Sequence, residues 1–134
     1  NESKNLLIIT KEELLSGESK NDSYLSLLLK ENNNIISSKN VYFLPFKELI
    51  IPNPVLKKHV TVNEKLQKIS VTIKSQNFAK GVHVTSSSSE NFSDNFFDLP
   101  VNGEKTITLN LTKDVAITEL ISSIKIVSLW DTIN

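Results

Sequence analysis

Asp94 and Asp98 are the residues of this chain whose type could carry chemistry. Retaining glycoside hydrolysis needs two carboxyl groups facing each other about 5 Å apart across a sugar ring. Asp94 and Asp98 instead lie four positions apart in one loop, and no carboxylate opposite them is identifiable from spacing. An aspartate in a tight loop ordinarily accepts backbone N–H groups of its own turn, so the expected role of Asp94 is structural. With Asn95 the two could also offer oxygens to calcium, but the spacing lacks the alternating ligands of a regular calcium loop. No catalytic residue, metal or cofactor is therefore assigned.

Thiol and imidazole side chains are scarce. Cysteine is absent, which excludes thiolate nucleophiles and cysteine-ligated zinc or iron–sulfur sites. The two histidines, His59 and His83, have no Ser, Asp or second His at a spacing that would build a nucleophile or a metal site, and both are expected at the surface. The aromatics offer a different chemistry. Phe92, Phe96, Phe97 and Trp130 could form a platform for stacking sugar rings, yet phenylalanine is more at home in a core than in a wet sugar site. Phe96 and Phe97 are adjacent, so an extended chain points one inward and the other outward. The expectation is core and domain interface, with Asp94, Asn95, Phe96, Phe97, Asp98 and Trp130 as the motif and interface candidates.

The elements that must position these residues are short and alternate with period two. Ile69/Val71/Ile73, Val82/Val84, Ile107/Leu109/Leu111, Leu25/Leu27/Leu29 and Ile124/Ile126 each present one apolar face to a core. Many short strands with turn signals between them indicate an all-β antiparallel sandwich. Asn32-Asn33-Asn34 tolerates the left-handed backbone of a hairpin, so the segments flanking it are expected to pair. Asn102-Gly103 supplies a similar turn before the Ile107 strand. Pro45, Pro52 and Pro54 remove backbone donors between Leu44 and Val55 and argue for an edge or a crossing between sheets there. Helix is limited to a capped turn at Thr10-Lys11-Glu12-Glu13, which has a capping-box pattern, and a turn near Thr118 to Ser122. Ser86 to Ser89 reads as a polar loop.

The 134 residues are expected to form one domain. Fifteen basic and fifteen acidic side chains cancel, so the field that draws proteins to nucleic acid or anionic lipid is missing and neither partner is expected. Unbroken apolar runs such as Leu6 to Ile9 and Leu27 to Leu29 fall far short of the ~20 residues of a membrane-spanning helix. Without methionine even at position 1, the chain is expected to begin inside a longer polypeptide.

Phe92-Ser93-Asp94-Asn95-Phe96-Phe97-Asp98-Leu99-Pro100-Val101-Asn102-Gly103-Glu104, followed by the alternating strand Lys105 to Leu111, resembles the turn of the last, immunoglobulin-like domain of glycoside hydrolase family 2 β-mannosidases. Lys39-Asn40-Val41-Tyr42-Phe43-Leu44-Pro45-Phe46-Lys47-Glu48-Leu49 and Ile124-Lys125-Ile126-Val127-Ser128-Leu129-Trp130-Asp131-Thr132 resemble the same domain, in family order. The resemblance implies an immunoglobulin-like sandwich and a parent that removes terminal β-mannose with retention, using two glutamates of a separate barrel domain. Asn1-Glu2 has the residue types of that family's acid/base pair, but it stands at the terminus and is given no role. Related exo-glucosaminidases end in a similar domain. The implied job here is non-catalytic: an accessory domain packing on the other domains of the parent, whose compartment is not assigned, periplasmic and extracellular both being compatible. A carbohydrate-binding module or cell-surface adhesin domain is the alternative.

Overall fold

The computed structural model describes residues 7–87, 91–111 and 116–133. Asn1-Glu2 and the Ser88-Ser89 end of the polar run lie outside the described residues. The chain divides into two compact units, Asn1–Ile50 and Ile51–Asn134.

In the first unit, helix α1 (Lys11–Leu15) starts at the expected capping box: Glu13 N–H donates to Thr10 Oγ1, and the Glu13 carboxylate accepts from Thr10 N–H at 2.8 Å. These backbone and hydroxyl donors hold the Glu13 carboxyl below its usual pKa. Ser16, in the left-handed conformation, closes the helix ahead of Gly17. Strands β1 (Tyr24–Glu31) and β2 (Asn34–Tyr42) then form an antiparallel hairpin, turned by Asn32 and Asn33 at φ 48° and 67°. Its register sets Tyr24 opposite Tyr42, with ring centroids 6.0 Å apart, and Phe46 meets Tyr42 edge-on. The leucines depart from expectation. Leu27 and Leu29, expected to face a core with Leu25, are exposed and Leu25 is only partly covered, because a hairpin of two strands is too small to build a packed layer by itself. The proline-bearing stretch carries no strand, only a 3₁₀ turn at Phe46–Glu48, and the boundary between the units falls within it.

The second unit is a sandwich of two three-stranded antiparallel sheets. One has the order β3 (Leu56–Asn63), β4 (Lys68–Ser75), β7 (Glu104–Asn110); the other has β6 (Phe97–Leu99), β5 (Ala79–Thr85), β8 (Lys125–Val127). Alternation decides the faces: Ile69, Val71 and Ile73 of β4 are fully buried while Ser70 and Thr72 between them are only partly covered. Ile69 pairs with Leu109 and Val71 with Ile107, so one sheet presents a continuous aliphatic layer. Val82, Val84, Phe97 and Leu99 supply the facing layer, and Leu120 of helix α2 (Ile117–Ser123) and Ile124 complete the core. Burying this many large aliphatic side chains, at ~1.5–3 kcal/mol each, is what holds a cysteine-free sandwich together. The final helix, α3 (Trp130–Ile133), is held by Asp131, whose carboxylate accepts from the N–H and hydroxyl of buried Ser128 at 2.7 and 2.8 Å.

Candidate functional site

The loop from Asn91 to Phe96 runs beside both sheets and joins them before entering β6. Ser93 fastens it to β7: its N–H donates to Thr108 O at 2.8 Å and its hydroxyl accepts from Thr108 N–H at 2.9 Å. Asn95 fastens it to β5. Its Oδ1 accepts from Val84 N–H at 2.7 Å and its Nδ2 donates to Val84 O at 2.8 Å, so one amide side chain does what a neighbouring strand residue would do. That bond pair extends the β5 edge beyond the last backbone pairing, Val82 with Phe97.

The two aromatics diverge as expected, but by a left-handed turn at Phe96 ahead of β6 and not by the alternation of an extended chain. Phe97 is 8% exposed and belongs to the core, whereas Phe96 is 69% exposed. Phe96 holds φ at 57°, a left-handed backbone that costs a bulky residue energy. Its ring lies stacked on His83, 4.3 Å between centroids and 11° between planes. His83 is thus half-buried rather than turned freely outward, while His59 is exposed on β3 as expected.

The carboxylates are spent on different strands. Asp98 accepts from Lys80 Nζ at 2.9 and 3.1 Å and from Gly81 N–H at 2.9 Å, in an ion pair whose side chains are only 19% and 16% exposed. Gly81 sits at φ 61°, where the β5–β6 register slips, and this turns its N–H toward Asp98. Asp94 pairs with Lys105 of β7 and accepts from Asn95 N–H at 2.7 Å. The hydrogen bond from Lys105, with the Asn95 N–H and the Lys105 charge adding to it, holds the Asp94 carboxyl below its usual pKa. The Lys105 ammonium also stands 4.6 Å from the centre of the Phe97 ring.

The structure keeps Asp94, Asn95 and Phe96 in the loop but, against the expectation of a single loop, places Phe97 and Asp98 on strand β6, which pairs with β5, and Trp130, half-buried, on a separate helix. The motif's oxygens are turned toward Lys and backbone donors in several directions rather than toward one point. Among the described residues, no three His, Cys, Asp or Glu converge as metal ligands would. Lys80, Gly81, Val84 and Lys105, which complete the arrangement, carry no motif of their own; the only sequence trace is that each lies on a strand bordering the loop. What this geometry can do is clamp two sheets and display one aromatic ring.

The family model Ig_mannosidase, an Ig-fold domain, matches residues 51–132, which is more than half of the chain and coincides with the second unit. No curated protein matches the chain.

Proposed function

The chain belongs to the Ig_mannosidase family of Ig-fold domains, and from that premise we propose that it is the non-catalytic accessory domain of a β-mannosidase-like retaining exo-glycosidase. The observation that carries the reading is the disposition of the two carboxylates. Asp98 is committed to Lys80 and Gly81, and Asp94 to Lys105 and Asn95, on strands of different sheets. A carboxylate that acts as nucleophile or acid must face its partner across substrate, whereas a carboxylate paired with the lysine of a neighbouring strand is a structural clamp. The sandwich would then pack on the catalytic barrel and other domains of the parent, and direct binding of carbohydrate is not expected. Domain contacts within one chain are moderate in area and rather polar, which suits a face that is soluble when uncovered.

One observation favours the second reading, a carbohydrate-binding module. Phe96 presents a ring that is already stacked on His83 and open on its other side. Calorimetric titration of the chain with mannohexaose separates the two. The accessory-domain reading expects no saturable heat at millimolar ligand, whereas saturable heat abolished by Phe96→Ala or Trp130→Ala would transfer the chain to the binding-module class.

A further inference from the structure

The turn that opens β7 contains the only Asn-Gly pair in the sequence, Asn102-Gly103; every other asparagine with a successor is followed by a residue bearing a Cβ. Asparagine side chains are attacked by the backbone nitrogen of the next residue, and glycine leaves that nitrogen unshielded. Asn102 is exposed and left-handed at φ 54°. Three backbone bonds hold the pair closed: Gly103 N–H to Pro100 O at 2.9 Å, Ser75 N–H to Gly103 O at 2.9 Å, and Asn102 N–H to Gln76 O at 3.3 Å. The fold cannot protect the site by giving position 103 a side chain, since a Cβ there would stand 2.6 Å from Pro100 Cδ.

We propose that Asn102 is the deamidation site of this protein and that opening of the Pro100–Gly103 turn gates the reaction. Base removes the Gly103 amide proton, and the nitrogen then bonds to Asn102 Cγ. The bond from Cγ to the side-chain nitrogen breaks and ammonia leaves, closing a succinimide. Solvent water adds to either imide carbonyl and leaves aspartate or isoaspartate, with no change of oxidation state. In the closed turn the Gly103 proton is shared with Pro100 O, so the nucleophile forms only when that bond opens. Isoaspartate lengthens the main chain by one carbon, which displaces the bonds to Ser75 and Gln76 and loosens the end of the β4–β7 ladder.

The test is peptide mapping of the full chain after incubation in mildly alkaline buffer, folded and in concentrated urea, scoring acid and isoaspartate at each asparagine. Asn102 is expected to be the first site modified in both states, and about twofold to tenfold slower when folded, as the opening of one hydrogen bond requires. In urea, where folding plays no part, Gly103→Ala should slow the reaction several-fold. Equal rates in the two states, another asparagine reacting first, or no effect of Gly103→Ala in urea would each overturn the proposal.

Discussion

Truncating Asn95 removes the loop's attachment to β5 and nothing of the core. In Asn95→Ala, Val84 loses the acceptor for its N–H and the donor to its C=O, bonds of 2.7 and 2.8 Å. Val84 is 1% exposed, so water reaches these groups poorly. Each bond contributes roughly 0.5–1.5 kcal/mol net, and leaving a buried polar group unpaired costs ~1–3 kcal/mol, so the expected loss is about 2–3 kcal/mol. For a unit of this size that corresponds to a fall in Tm of roughly 10–20 °C, with an unchanged denaturant slope. Asn95→Asp is the informative companion. It keeps the acceptor for Val84 N–H but sets an anionic oxygen against Val84 O, so at neutral pH it should cost at least as much as alanine. In acid the protonated carboxyl can donate again, and part of the loss should return. Urea denaturation of the three proteins at two pH values decides the matter. A loss below ~0.5 kcal/mol for Asn95→Ala, or an aspartate variant as stable as wild type at neutral pH, would refute the strand-mimic account.

Phe97→Ala should cost about 3–5 kcal/mol, the range for a core phenylalanine, and Phe96→Ala far less, with equal denaturation midpoints for the two refuting the inward–outward assignment. Because Lys105 depresses the Asp94 pKa, the pair's contribution is complete at neutral pH and is lost only as pH falls below the ordinary aspartate range. At a site this exposed the effect is under ~1 kcal/mol, and Asp94→Asn should erase that acid-dependent part in stability measured against pH. If the 134 residues act as one domain, calorimetry should give a single transition and proteolysis near Ile50 should be slow; two separated transitions would divide the chain at that point.

The sandwich was legible because alternation at Ile69/Val71/Ile73 and Ile107/Leu109 encodes a face directly; in the first unit, the asparagines after Glu31 encode a hairpin turn, left-handed at Asn32 and Asn33. Leu25/Leu27/Leu29 has the same alternation, yet leucines 27 and 29 are exposed. Period two specifies which side of a strand is apolar, not whether a second layer exists to cover it. The loop was legible as a motif, including the opposed fates of Phe96 and Phe97. Its clamps were not: the pairing of Asp98 with Lys80 and of Asp94 with Lys105 depends on strands brought alongside by the fold, at separations no local pattern encodes.

The central proposal is that Asp94 in the loop and Asp98 on β6 hold strands of the sandwich and catalyse nothing. It is tested most directly by assaying the chain, Asp94→Asn and Asp98→Asn with an aryl β-mannoside while following each protein's thermal unfolding. The account predicts no turnover above blank for any of the three and a lowered Tm for Asp98→Asn, which weakens a pair only 19% and 16% exposed. Wild-type turnover that disappears in Asp94→Asn or Asp98→Asn with Tm unchanged would contradict it.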